Sequence, residues 1–362
     1  MDAEKRDRLD AYLATNDLES VWLATPPMFG WLTGGDPLVD RGGAASVAAA
    51  GYDGDGVTVV TSDIEGQRLR DEELAADVDV VEFPWHERDL PGAVADEATT
   101  PAAGDVDVPG FERVDRTDLT QPLTDEDVAR YRTVSEEAAR AVESVARDAT
   151  PGDTERELAA DLHRALQARG LDSPVVLVGG EDRLARYRHF TPKDVPVGGY
   201  AVLTVVGVRQ GCHAAVTRTV AFDGAPDWLD DRHEAVSRVA ATAAAATREA
   251  GREGGTARDV FGAIQGAYAD LGYEGEWASH HQGGALGFAS REWVATPEST
   301  APVRLPMAFG WNPTVPGAKS EDTVLVTADG VDVLSATGEF PTSRVAVVGH
   351  DLEPSLPDVL EK

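Results

Sequence analysis

The order of helix and strand signals in the C-terminal two thirds of the chain most limits the fold. Thr124 is a suitable N-cap for a long helix reaching Ala149, and Thr154 with Glu157 forms a capping box for a second helix. Apolar runs typical of strands follow, and the order of two helices and then strands is repeated up to Leu334. This repetition predicts an α+β domain with two similar halves.

Local patterns set the bounds of the later elements in this domain. Strands are predicted at Val175–Val178, Tyr200–Val206, His213–Phe222, Met307–Trp311, Asp322–Thr327 and Val331–Leu334, and the second pair of helices at Trp228–Gly251 and Thr256–Leu271.

A smaller α/β domain is predicted before it, because short apolar runs alternate with helical patterns and a segment rich in Pro, Ala and Gly follows. A chain of 362 residues also suits two domains. We therefore predict an N-terminal domain at 1–105, a linker at 106–122, the larger domain at 123–350 and a tail at 351–362.

The charge is strongly acidic, with 64 Asp and Glu against 32 Lys and Arg and a formal net charge of −32. The acids are spread over the whole chain, and only four of the basic residues are lysines. Such a surface repels itself in dilute buffer and is screened in molar salt, which predicts adaptation to high internal salt. It also argues against nucleic-acid binding, because phosphate contacts need cations.

The single cysteine, Cys212, excludes an internal disulfide and fits a reducing compartment. The charged N-terminus is not typical of a signal peptide, and no stretch approaches the roughly 20 apolar residues of a membrane span. These features predict a cytoplasmic protein without membrane contact.

Four segments resemble the superfamily of prolidase, methionine aminopeptidase and creatinase. They are the hairpin sequence Tyr200–Thr219, the loop His280–Phe288, the strand and turn Ser320–Leu334 and the segment Phe29–Gly34. The resemblance implies a C-terminal pita-bread domain preceded by a smaller α/β domain of the creatinase type. It also implies a homodimer.

Dinuclear members of this superfamily bind two cations through two aspartates, one histidine and two glutamates. The positions that match these ligands are Thr204, Ala215, Gly284, Asn312 and Glu321, so only the last is a carboxylate. The hairpin from Tyr200 to Val220 contains no Asp or Glu, whatever its register. We therefore predict that the metal site is lost and that the protein uses no cofactor.

His189 and Glu321 are the predicted catalytic residues. His189 matches a histidine that handles the proton in creatinase, the metal-free branch, and a histidine near its ordinary pKa serves as base and then acid at neutral pH. Creatinase also has a glutamate on its hairpin, where this chain has Thr217. The alternative for His189 is a histidine whose hydrogen bonds are satisfied at a domain boundary or in a binding site.

The predicted substrate-binding residues are His280, His281, Arg291, Asn312 and His213. Because adjacent residues of an extended chain point apart, only one of the paired histidines is expected to face the pocket. Arg291 suits a substrate carboxylate, and an internal ion pair is its alternative. A mononuclear metal site that includes these histidines also stays open.

Three functions remain from the sequence. The first is a metal-independent hydrolase of a C–N bond in a small molecule. The second is a binding protein for a small molecule or short peptide that has lost catalysis. The third is an Xaa-Pro aminopeptidase or dipeptidase with an atypical metal site.

Overall fold

The computed structural model describes residues 1–41, 46–350 and 352–362. The chain divides into two compact units, Met1–Glu126 and Asp127–Lys362. Among the helices in these residues, none combines the length and the apolar character needed to cross a membrane.

The N-terminal unit is built on one mixed sheet in the order β4-β3-β2-β1-β5-β6. Its strands are β1 (Ser20–Leu23), β2 (Ala48–Tyr52), β3 (Val57–Ser62), β4 (Asp79–Phe83), β5 (Ala102–Gly104) and β6 (Glu112–Arg113). Its helices are α1 (Ala3–Thr15), α2 (Pro26–Thr33), α3 (Gly66–Arg68, continued as a π-helix over Leu69–Glu73), α4 (Leu90–Glu97) and α5 (Thr117–Thr120). Buried Trp22, Val60 and Val94 pack together in its core.

The C-terminal unit contains two pairs of long helices, each followed by strands. The first half comprises α6 (Asp125–Asp148), α7 (Glu155–Gln167), β7 (Asp172–Gly180), α8 (Glu181–Leu184), β8 (Tyr200–Arg209) and β9 (Cys212–Ala221). The second half comprises α9 (Leu229–Glu253), α10 (Ala257–Asp270), a 3₁₀ helix (Glu276–Ser279), β10 (Gly283–Ala285), β11 (Trp293–Val294), β12 (Met307–Trp311), β13 (Thr314–Val315), β14 (Ala318–Lys319), β15 (Asp322–Val326) and β16 (Val331–Val333). The C-terminal strands are β17 (Thr342–Arg344), β18 (Ser355–Pro357) and β19 (Leu360–Glu361).

Two sheets of this unit meet beside β15. One has the order β19-β9-β8-β7 and the other the order β11-β10-β12-β15-β16. The amide of Thr217 on β9 donates to the carbonyl oxygen of Glu321 at 2.7 Å, and the amide of Ala215 donates to the hydroxyl of Thr323 at 2.9 Å. These bonds join the strands of the two halves where the resemblance places the functional pocket.

The predicted α+β architecture is confirmed, and several bounds agree closely. The capping box of Thr154 and Glu157 is formed, and β12 covers Met307–Trp311 as predicted. The short strand β2 was missed, because its Ala-Ala-Ala-Gly-Tyr sequence lacks the β-branched residues that indicate a strand.

The structure corrects the predicted linker and tail. Within 106–122, strand β6 pairs with β5, and the compact N-terminal unit extends to Glu126. Within the predicted tail, β18 pairs with β17 and β19 runs parallel to β9, while Asp351 lies outside the described residues. The sequence misled here because these strands have only two or three residues each, too few for a period to show.

A buried ion network surrounds Asp322 at the start of β15. Arg218, which is 1 % exposed, forms ion pairs with Glu143 on α6 at 3.1 Å and with Asp322 at 2.9 Å. It also donates to the carbonyl oxygen of Ser335 at 2.6 Å, and the Ser335 hydroxyl donates to Asp322 at 2.7 Å. Arg218 is therefore structural and is occupied by acids of its own chain.

Replacing Arg218 should destabilise the protein strongly. In Arg218→Met the buried carboxylates of Glu143 and Asp322 lose their cation, which typically costs about 3–5 kcal/mol of unfolding free energy. The matched control is Arg132→Met, because Arg132 pairs with Asp332 at 2.6 Å with both side chains about half exposed. That change should cost less than about 1 kcal/mol. Urea unfolding at constant molar KCl measures the free energy of unfolding of both variants. Equal losses of stability relative to the wild type would contradict the structural role of Arg218.

A histidine and ion-pair cluster as the candidate active site

Glu321 is the one carboxylate among the five positions predicted to match the superfamily's ligands, and the structure buries it between two cations. Its Oε1 lies 2.8 Å from Nη2 of Arg291, and its Oε2 lies 3.1 Å from Nζ of Lys319. Glu321 and Lys319 are each 3 % exposed. Asp322 points to the opposite face, toward Arg218, because successive side chains of an extended chain alternate.

The charges of this ion triad are coupled. Burial by itself raises the pKa of Glu321, but the positive charges of Lys319 and Arg291 outweigh it and hold the pKa below its usual value. Burial lowers the pKa of Lys319, and the charge of Glu321 opposes that fall. Glu321 is therefore ionised at neutral pH, and its charge is already balanced within the chain.

Three histidines gather next to the triad. Nε2 of His280 lies 3.0 Å from Nε2 of His189, and the rings of His280 and His281 are stacked with centroids 4.4 Å apart. The ligand nitrogens of all three residues lie within 4.8 Å of one another. His280 is buried, whereas His189 and His281 are exposed.

The expectation that only one of the paired histidines faces the pocket is wrong, because both rings approach His189. The alternation rule applies to a regular strand, and these residues lie between the 3₁₀ helix, which ends at Ser279, and β10, which begins at Gly283. The irregular backbone there lets two neighbouring rings stack on the same side.

Buried polar contacts hold the loop that carries the paired histidines. The side-chain amide of Gln282 donates to the carbonyl oxygens of His280 at 2.7 Å and Trp277 at 3.0 Å, and its oxygen accepts from the Tyr268 hydroxyl at 3.0 Å. Arg188, next to His189, forms an ion pair with Glu276 at 2.6 Å. These contacts tie together the two segments that supply the histidines.

The environment keeps all three imidazoles neutral at pH 7. Burial and then the charge of Lys319 lower the pKa of His280 to about 3. Partial burial and then the charge of Arg291 lower the pKa of His281 to about 4. Partial burial and Lys319 also lower the pKa of His189. A neutral imidazole can accept a proton or donate a lone pair to a ligand.

The remaining positions that were predicted to match the superfamily's ligands carry no acid and no histidine. Thr204 and Thr217 hydrogen-bond to each other through their hydroxyls at 2.8 Å. Gly284 has no room for a side chain, since a Cβ there would lie 2.0 Å from the carbonyl oxygen of Trp293. Asn312 is buried, and its Oδ1 has no hydrogen-bond partner among the residues described.

The other predicted binding residues have contacts of their own. Arg291 forms the internal ion pair that was its alternative, and it also donates to the carbonyl oxygen of Ser290 at 2.6 Å. Nδ1 of His213 lies 2.8 Å from the carbonyl oxygen of Gly211, and its amide lies 3.4 Å from the Tyr131 hydroxyl. His213 is thus engaged at the turn of the β8–β9 hairpin.

Sequence reasoning missed Lys319, Gln282 and Tyr268. A signal for Lys319 was present, because lysine is rare in this chain and this one stands two residues before Glu321. Gln282 and Tyr268 act through buried hydrogen bonds between distant segments, for which the sequence shows no local pattern.

The model of metallopeptidase family M24 matches residues 129–328, more than half of the chain. This chain belongs to metallopeptidase family M24.

Comparisons with known proteins agree with this assignment. The chain is 21% identical to the Xaa-Pro dipeptidase of Pyrococcus horikoshii over 360 residues, which cover 92% of this chain and 97% of that protein. The X-Pro aminopeptidase of Thermotoga maritima matches with a TM-score of 0.74 and 15% identity over 98% of this chain and 100% of the other. The N-terminal domain of the FACT complex subunit SPT16 from chickpea matches with a TM-score of 0.61 and 12% identity over 92% and 96%.

Acidification should destabilise the wild type through His280. The pKa of this histidine is about 3 in the folded protein and about 6.5 in an unfolded chain, so the unfolded state binds more protons between these values. The contribution of neutral His280 to the free energy of unfolding is therefore complete above about pH 6.5 and is lost as the pH falls from there toward 3. The drop in Tm between pH 7.5 and 5 should be at least about 3 °C smaller in His280→Asn.

The measurement is thermal unfolding of both proteins at constant molar KCl. Exposed His163 on α7 provides the control variant His163→Asn, whose drop in Tm should equal that of the wild type. An equal drop in His280→Asn and in the wild type would contradict the assigned environment of His280.

Proposed function

We propose that this member of family M24 does not form the family's two-cation centre and instead hydrolyses a C–N bond of a small molecule or short peptide without metal. The observation that carries the proposal is the burial of Glu321 between Lys319 and Arg291, with the three histidines beside it.

The donor set supports the loss of the two-cation centre. Two dications need several carboxylates to balance their charge, and only Glu321 remains at the matching positions. Lys319 and Arg291 already neutralise that carboxylate and would repel an incoming cation. The carbonyl oxygen of Trp293 leaves no space for a histidine at Gly284. The described residues therefore do not fit the group that the fold family implies.

The pair of His189 and His280 supplies the acid–base chemistry of the proposal. With two neutral rings 3.0 Å apart, one Nε2 donates a hydrogen bond and the other accepts it. When His189 is the donor, its Nδ1 keeps a lone pair that accepts a proton from water while the water oxygen bonds to the carbon of the C–N group. The protonated ring then returns that proton to the nitrogen as the C–N bond breaks. His280 holds His189 in the tautomer that this step requires.

Substrate binding is assigned to polar groups of segments that adjoin the histidines. Oδ1 of buried Asn312 has no hydrogen-bond partner in the part of the chain that the structure describes, so it suits an N–H of the substrate. Arg291 stays bound to Glu321 and offers its remaining N–H groups to a carbonyl or carboxylate oxygen.

The second candidate is a non-catalytic binding protein. The engagement of Glu321 by both cations favours it, because a carboxylate held in this way is a weak base. The third candidate is an Xaa-Pro peptidase with an atypical metal site, and it is favoured by the similarity to proteins named Xaa-Pro dipeptidase and X-Pro aminopeptidase. Its activity would depend on added metal, whereas the first candidate is active without metal and the second shows binding alone.

The test is hydrolysis of Xaa-Pro dipeptides and small amides and amidines by protein treated with EDTA at molar KCl. We expect turnover that EDTA leaves unchanged and that His189→Ala lowers by about 100-fold or more. The control is His86→Ala in the N-terminal unit, where His86 is exposed, and it should keep full activity. Activity that disappears in EDTA and returns with Mn²⁺ or Co²⁺ would overturn the proposal. Saturable ligand binding without turnover would support the second candidate instead.

A further inference from the structure

The three histidines converge from two distant segments. His189 precedes the β8–β9 hairpin, whereas His280 and His281 follow the 3₁₀ helix. His280 lies 91 residues after His189 in the chain. Each residue offers one nitrogen, and the three nitrogens lie within 4.8 Å of one another. None of them occupies a position that matches a ligand of the family's two-cation centre.

The spacing is close to that required by a single ion. A zinc–imidazole bond of about 2.0–2.1 Å places two nitrogens of a tetrahedral site about 3.3 Å apart. The Nε2 atoms of His189 and His280 are 3.0 Å apart, close to this spacing, and turning the two rings toward a common point replaces their hydrogen bond with the ion. No spacing among the three nitrogens exceeds 4.8 Å, so each has to close by at most about 1.5 Å. Because His189 and His281 are exposed, their side chains have room to turn.

The chemistry of the donors selects the type of ion. Imidazole nitrogen suits Zn²⁺, Ni²⁺, Cu²⁺ and Co²⁺, whereas Mg²⁺ and Mn²⁺ prefer oxygen ligands. Three protein ligands with a free fourth position are typical of an open zinc site. The positive charges of Lys319 and Arg291 weaken cation binding, and the negative charge of Glu321 offsets one of them. The affinity is therefore modest.

We infer that His189, His280 and His281 form a binding site for one divalent transition-metal ion, separate from the family's two-cation centre. The ion takes the Nε2 lone pairs of His189 and His280, so the proton of the neutral His189 ring stands on Nδ1 and that atom cannot accept a proton from water. Zinc is thus an inhibitor of the proposed metal-free hydrolysis. The binding site itself does not rest on the proposed function, since it depends only on the three side chains.

The experiment is a titration of tag-free protein, stripped of metal with a chelator, in molar KCl. Isothermal titration calorimetry with Zn²⁺ and visible absorption with Co²⁺ report the stoichiometry and the ligand geometry. We expect one equivalent of ion per chain and the intense visible bands of a tetrahedral cobalt site. His189→Ala and His281→Ala should each weaken binding by about tenfold or more. The matched control, His86→Ala, should bind as the wild type does.

Both tested histidines are exposed, so their variants are expected to fold, and thermal unfolding checks this. Binding that His189→Ala and His281→Ala leave unchanged would overturn the inference, as would the absence of any binding. Binding of two equivalents of ion per chain that is lost in Glu321→Gln would also overturn the inference and would support the two-cation centre. These measurements contain no substrate, so failure of the hydrolase proposal leaves their result intact.

Discussion

The structure of the C-terminal unit depends on two adjacent acids where β15 begins. Glu321 pairs with Lys319 and Arg291 on one face, and Asp322 pairs with Arg218 on the other. Buried ions of one sign are strongly destabilising unless they are paired and hydrogen-bonded. The two ion networks therefore tie β9, β14 and α6 to the start of β15.

The internal cations also determine what the pocket can do. Lys319 and Arg291 both pair with Glu321, so the charge of this carboxylate is balanced by residues of its own chain. The same charges, together with burial, keep the histidines neutral. Neutral imidazoles can move protons or bind a divalent transition-metal ion, and both proposals for this site follow from that property.

Sequence reasoning succeeded where the signal is local. The capping box at Thr154 and the strand Met307–Trp311 depend on residues within one turn or one strand, and both are present. It failed for β6 and β19, whose two residues form a strand only because a neighbouring strand offers its free edge. The pocket was predicted in part, because motif order identified His189, His280 and Glu321 but not the contacts among them.

The sequence alone determined that the β8–β9 hairpin carries no carboxylate, because no register or packing can create an acid where none is encoded. It likewise determined the two-unit α+β organisation, since capping residues and apolar periodicity act over short distances. Only the tertiary structure decided that Lys319 and Arg291 neutralise Glu321 and that three histidines from segments 91 residues apart meet. Such side-chain contacts depend on how distant segments pack in space, and this packing is independent of their separation along the chain.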